Sequence, residues 1–187
     1  MQKLILASAS PRRSQLLRNF GIEFEVVPAN LPEEQLPGED AHAFAQRLAK
    51  EKAKAVGQQH PQNFVLGADT IVLINGEVLG KPRDAEDARR MLRMLSGKTH
   101  EVATAVCLAG PGGEETAIER TQVTMSEIPE SEIADYIASG EPMDKAGAYA
   151  IQGGAKKWIS RVEGDYFNVV GLPVPLVVEM LQRRGLR

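Results

Sequence analysis

The chain has 187 residues, 43% of them hydrophobic and 25% charged, which suits a globular protein with one good-sized core. A net charge of -3 and an aromatic content of 5% argue against a broad nucleic-acid surface. The single Cys107 excludes a disulfide framework and a cysteine-based zinc site, and no apolar run reaches membrane-spanning length. Too few apolar residues follow Met1-Gln2-Lys3 for a signal peptide, so a reducing, cytoplasmic location is expected.

Leu4–Ala7 predicts a short buried strand that runs into Ser8-Ala9-Ser10-Pro11-Arg12-Arg13. Leu16, Leu17 and Phe20 then recur at helical spacing, and Gly21 stops them. Ser10 suits the N-cap and Pro11 the first helical position. Two arginines at the positive end of a helix are unfavourable by themselves, so a bound anion, phosphate best of all, is favoured over two solvated side chains. Phe24–Val27 predicts a second strand. Residues 30–40, with three glutamates, one aspartate and two prolines, predict an acidic loop. Its carboxylates read first as a solvated face; Glu33 and Glu34 are also candidates to reach a metal. Asp40 caps a helix to about Val56, with Phe44, Leu48 and Ala55 on one stripe. Lys50, Lys52 and Lys54 point in different directions on it, so at most one or two can share a site.

Phe64–Pro82 is the stretch around which the rest is organised. It reads as an apolar strand, a break at Gly67-Ala68-Asp69-Thr70, a second apolar strand, a tight turn at Asn75-Gly76 and a short return strand. Asp69 is the anomaly. A carboxylate in a run that wants burial either caps a turn or has cationic or metal partners that offset its desolvation. Lys81 follows at the end of the return strand.

Asp84 caps a helix through Leu95, with Ala88, Met91, Leu92 and Leu95 inward. Gly97-Lys98-Thr99 imitates the tail of a Walker A motif, but Leu92 stands where its first glycine belongs. His100–Ala109 and Glu115–Ile128 read as strands joined by Gly110-Pro111-Gly112-Gly113, a turn that fails the dinucleotide fingerprint at Glu115. Pro129–Gly140 predicts a short helix with Ile133, Tyr136 and Ile137 inward. Pro142–Gly154 is either a glycine-rich turn between strands or a wall where backbone passes close to a ligand. Within it Gln152 offers a donor and an acceptor, the chemistry for reading a base edge. Trp158–Glu163 and Tyr166–Val170 read as a strand pair across Gly164-Asp165. A helix after Pro173 closes the chain near Arg184. His42, His60 and His100 lie in no charged motif and read as surface or packing residues.

Ser8-Ala9-Ser10-Pro11-Arg12-Arg13, Ala68-Asp69-Thr70, Gly80-Lys81-Pro82 and the run from Asp144 to Gly153 together resemble, in order, the motifs of the Maf family of nucleoside triphosphate pyrophosphatases. The resemblance extends from Leu4 to the final helix and implies a single Maf-like domain over residues 1–187. It implies an α/β fold: a mixed, strongly bent sheet flanked by helices, in two lobes with a cleft between them, as in inosine triphosphatases. It also implies a homodimer that hydrolyses a nucleoside triphosphate to the monophosphate and pyrophosphate, with a divalent metal, in housecleaning of nucleotide pools. By position, Asp69 matches the family's proton acceptor. Arg12, Thr70 and Gln152 match the branch acting on dTTP and UTP, modified uridine or cytidine nucleotides included. Ser8, Arg13, Glu33, Lys52 and Lys81 match residues lining the phosphate and metal pocket, with Glu33 and Asp69 as the metal ligands. Pro32 departs from the pattern, since relatives often carry an acidic residue there. Mg²⁺ or Mn²⁺ suits oxygen ligands and a triphosphate. Two other classes stay open. One is a nucleotide- or nucleic-acid-binding regulator of cell division without turnover, which rests on Arg12, Arg13 and the lysines. The other is a nucleotidyltransferase, which attacks the same α-phosphorus with an acceptor other than water.

Overall fold

The computed structural model describes residues 3–186, so Met1 and Gln2 of the signal-peptide reading, and the ends of the expected 1–187 domain, lie outside the described residues. Seven strands are described: β1 (Leu4–Leu6), β2 (Glu25–Val26), β3 (Phe64–Ile74), β4 (Glu77–Leu79), β5 (Thr99–Gly110), β6 (Gly113–Met125) and β7 (Ile159–Glu163). The α-helices are α1 (Pro11–Asn19), α2 (Ala41–Gly57), α3 (Ala85–Leu95), α4 (Glu130–Ala138), α5 (Tyr166–Val170) and α6 (Val174–Arg183). The strands form one sheet in the order β2-β1-β3-β5-β6-β7, with β4 paired to β3. It is mixed: β1 is parallel to β2 and β3, whereas β3–β4 and β6–β7 are antiparallel. The expected α/β class with a mixed sheet and helices is therefore present. No described helix is long and apolar enough to cross a membrane.

The chain divides into two compact units. The first takes Met1–Thr70, Thr104–Glu119 and Gly171–Arg187; the second takes Ile71–Ala103 and Arg120–Val170. In the first, Ile5, Leu6, Leu17, Leu48, Leu66, Leu108 and Leu172 are fully buried. In the second, Val72, Leu79, Leu92, Leu95, Val102, Met125, Ile133 and Trp158 belong to one core cluster. Asn75-Gly76 forms the predicted tight turn, both residues at positive φ, between β3 and β4. Cys107 is buried in β5, where burial pushes its thiol up, as suits an inert core residue.

Four readings are corrected. β3 is one continuous strand through Gly67-Ala68-Asp69-Thr70, not two strands around a break. Nearly every residue of it is buried, the pattern of a strand covered on both faces. Tyr166–Val170 is the helix α5, not a strand. Asp165 Oδ1 accepts from the Phe167 amide at 2.8 Å, and the Asn168 side chain donates to Val102 O and Thr121 Oγ1, both at 2.9 Å. That cap and those anchors outweigh the strand propensity of Tyr, Phe and Val. Residues 141–158 hold three 3₁₀ turns, Glu141–Asp144, Ala146–Ala148 and Gly154–Trp158, rather than a simple turn between strands. Ala55 is only half-buried, and the apolar stripe of α2 runs instead through Phe44, Ala45, Leu48, Ala49, Ala53 and Val56.

Candidate active site

Lys52 lies on that buried stripe of α2, four residues after Leu48 and four before Val56. Helical spacing therefore aims an ammonium at the sheet, where the neighbouring strand supplies the answering charge. Lys52 Nζ bonds Asp69 Oδ1 at 2.7 Å and Glu33 Oε1 at 2.6 Å. Asp69 on β3 is 6% exposed, whereas the Glu33 side chain on the acidic loop is 43% exposed. One cation thus holds a buried and an open carboxylate. Burial pushes the Asp69 carboxyl up; the charge and hydrogen bond of Lys52 and the charge of Arg13 pull it down, and Glu33 pushes it up again. Gly67 makes the approach of α2 to β3 possible. A Cβ there would overlap the Ala49 carbonyl oxygen and lie 2.7 Å from the Ala53 amide nitrogen.

Arg13 of α1 brackets Asp69 from both sides in sequence. Its Nη1 donates to Ala68 O at 2.9 Å and to Ser8 Oγ at 3.1 Å; its Nη2 donates to Thr70 Oγ1 at 3.0 Å; its Nε donates to Gly171 O at 2.8 Å. Four of the five guanidinium N–H groups are spent inside the protein. Burial pushes this guanidinium down, against the charges of Asp69 and Glu33. Thr70 Oγ1 also meets Thr104 Oγ1 at 2.9 Å. Ser8 Oγ accepts a second bond from the Ser10 amide at 3.2 Å. Ser10 occupies the N-cap position of α1 but its side chain makes no capping bond. Arg12, beside it in the first turn, is half-buried.

The second unit carries Lys81 and Gln152, both exposed. The Gly147 amide donates to Gly80 O at 3.1 Å, which ties the run containing Gln152 to the residue before Lys81. Gly147 has φ 70°, and a Cβ there would meet Val72 Cγ2 at 2.9 Å. Ser8, Arg13 and Thr70 thus share one network and Glu33, Lys52 and Asp69 another, both in the first unit.

Sequence reasoning missed the residues that hold this arrangement. Arg47 forks onto Glu39 at 2.6 and 2.8 Å and donates to Glu34 O at 2.9 Å, pinning the loop that carries Glu33 to α2. The same pairing holds the Glu39 carboxyl down to about 2. Arg47 precedes Glu51 by four residues, a spacing that was readable; its longer reach to Glu39 was not. Tyr136 read only as an inward residue, yet its hydroxyl bonds Glu141 Oε1 at 2.9 Å.

Among the described residues no three His, Cys, Asp or Glu side chains gather into a metal cage. Glu33 and Asp69 make a pair of carboxylates, and Mg²⁺ is commonly bound by one or two carboxylates with water and substrate phosphates completing the shell. The donor set fits such a cation in partnership with a phosphate ligand.

Comparison with known proteins gives relatives over nearly the whole chain. A protein of Koribacter versatilis named dTTP/UTP pyrophosphatase is 58% identical over 98% of this chain and 95% of its own length. One of Geobacillus sp. with the same name is 48% identical over 99% of this chain and 100% of its own. Among solved structures, the Staphylococcus aureus Ham1 protein matches 98% of this chain and 100% of its own with a TM-score of 0.53 at 12% identity, a likeness of fold. The family described as Maf-like protein matches residues 3–184, and the chain belongs to that family.

Proposed function

We propose that this chain hydrolyses dTTP and UTP to the monophosphate and pyrophosphate, with Mg²⁺ or Mn²⁺ as cofactor, as a housecleaning enzyme of nucleotide pools. The observation that carries the reading is the Lys52 ammonium shared between buried Asp69 and open Glu33. The names of the relatives at 58% and 48% identity support the substrates. Burial raises the proton affinity of the Asp69 carboxyl, as suits a base, while the adjacent Lys52 ammonium favours its ionised form.

Asp69 takes the proton of a water whose oxygen bonds to the α-phosphorus, and the bond from that phosphorus to the bridging oxygen breaks to release pyrophosphate. Glu33 and Asp69 would hold the cation, which supplies neutralisation of phosphate charge. Lys52 and Lys81 add fixed positive charge for the leaving group. Arg13, with one N–H unspent, chiefly fixes Ala68 and Thr70 on either side of the base. Gln152 offers a donor and an acceptor to a pyrimidine edge. A homodimer in the cytoplasm accompanies this reading on the family resemblance.

A panel of nucleoside triphosphates with each cation, scored for pyrophosphate against orthophosphate, tests it. Pyrophosphate release is expected with dTTP and UTP. Asp69→Asn is expected to lose about 10²–10⁴-fold in turnover while keeping its fold. Orthophosphate as the product, or full turnover by that variant, would refute the proposal.

A further inference from the structure

We propose that Tyr136 and Glu141 are positioning residues that set base selectivity by holding the turn on which Gln152 stands. Gln152 is exposed on the turn Ile151–Gly153, and its amide makes no hydrogen bond among the described residues. Its location is therefore inherited from the backbone on either side. Both sides are tied to one place. The Tyr136 hydroxyl accepts from the Ala150 amide at 3.2 Å and donates to Glu141 Oε1 at 2.9 Å. The Glu141 carboxylate then accepts from the Gly154 amide at 3.1 and 3.2 Å. A hydroxyl and a carboxylate, bonded to each other, thus grip the backbone two residues before Gln152 and two residues after it.

Three further features make this a built clamp. The Gly153 amide closes the turn on Ala150 O at 3.1 Å. A Cβ on Gly153 would overlap Glu141 Oε1, so the glycine admits the carboxylate. The Tyr136 ring is buried and packs edge-on against Trp158, with centroids 5.1 Å apart, and Trp158 Nε1 donates to Glu132 Oε2 at 2.6 Å. Glu132 and Tyr136 come from α4 and Glu141 from the 3₁₀ turn after it, so these two neighbouring elements tie down the stretch from Ala150 to Trp158. An exposed amide can discriminate between bases only if its donor and acceptor are presented at fixed positions.

The inference rests on the reading of Gln152 as the base reader, and the experiment separates the two. Steady-state kcat/KM for dTTP and for ATP would be measured on the metal-loaded enzyme for wild type, Gln152→Ala, Tyr136→Phe, Glu141→Gln and the Tyr136→Phe/Gln152→Ala pair. Tyr136→Phe keeps the ring on Trp158 and removes the one atom that serves both bonds. Its dTTP-to-ATP ratio is expected to fall roughly tenfold, mainly through KM for dTTP, with kcat nearly unchanged. In the Gln152→Ala background the same substitution is expected to add nothing. Glu141→Gln, which offers an amide where a second acceptor is needed, is expected to lower the ratio as well; it decides the matter should Tyr136→Phe not fold. An unchanged ratio in either folded single variant, beside a flattened one in Gln152→Ala, would overturn the clamp and leave the base reader standing. An unchanged ratio in Gln152→Ala would overturn both. Equal losses with and without Gln152 would show general bracing and also overturn the clamp.

Discussion

Asp69 and Lys52 work against each other in a way that a pH profile can read. Burial and Glu33 raise the proton affinity of Asp69, while the Lys52 charge and hydrogen bond lower it. If Asp69 must be ionised to act, the acidic limb of kcat/KM should lie above the ordinary carboxylate value of 3.8. Removing Lys52 leaves only the charge of Arg13 against burial and repulsion, so Lys52→Met should shift that limb to higher pH and lower the plateau about 10–100-fold. A limb that stays in place, at whatever plateau, would dissociate Lys52 from the base. At this scale the sequence was informative about Asp69, because a carboxylate in an apolar run needs an explanation. It was ambiguous about Lys52, whose neighbours Lys50 and Lys54 look the same until the buried stripe of α2 is known. Arg13 was read as an anion ligand from its place at a helix start; its four bonds to Ser8, Ala68, Thr70 and Gly171 depend on long-range contacts that no local pattern encodes.

Between elements, the contact that brings the two charges together is the packing of α2 on β3 at Gly67. Gly67→Ala should cost about 1–3 kcal/mol by overpacking, since the added methyl meets helix backbone that cannot rotate away. It should also depress turnover in the fraction that folds, because α2 must retreat and take Lys52 with it. Gly57→Ala is the control: its added methyl meets only Val65 Cγ2 at 3.9 Å, an ordinary contact. Chemical denaturation and kcat on both variants test the idea, and equal behaviour of the two would refute it. The caps Asp40 and Asp84 were legible because a short carboxylate before an apolar periodicity has few other uses, and both accept the amides expected of them. The break assigned to Gly67-Ala68-Asp69-Thr70 was wrong because glycine next to a charge suggests a turn. Here the glycine admits a helix and the charge has a partner. Tyr166–Val170 misled through composition, since its aromatic and β-branched residues favour strands and its helix is settled by Asp165 and Asn168.

For the molecule as a whole, chain order conceals the division into two units, because three segments build the first and two build the second. The long strands β3, β5 and β6 each contribute residues to both units, so no linker or composition shift marks the boundary. The second unit nevertheless holds a group that bears on a whole-molecule property, the response to acid. His100 is 2% exposed, its Nε2 lies 2.7 Å from the Tyr149 hydroxyl, and its Nδ1 is buried without a hydrogen-bond partner among the described residues. Burial pushes the imidazole down from 6.5 to about 4. The unfolded chain takes up this proton near pH 6.5 and the folded chain declines it until about 4, so acid favours unfolding across that window. The loss from this one group approaches about 3 kcal/mol by the lower end. Glu39 and Asp87, both held at about 2 by arginine partners, add their own loss only below their ordinary values of 4.5 and 3.8. Denaturation of wild type and His100→Leu at intervals from pH 7 to 4 separates the contributions. The variant starts from a different stability because its packing differs, so the slope carries the result. Wild-type stability should fall more steeply than the variant's between pH 6.5 and 4. Parallel curves would mean that His100 accepts its proton in the folded state as readily as in the unfolded chain, and the buried imidazole would then have no part in acid sensitivity.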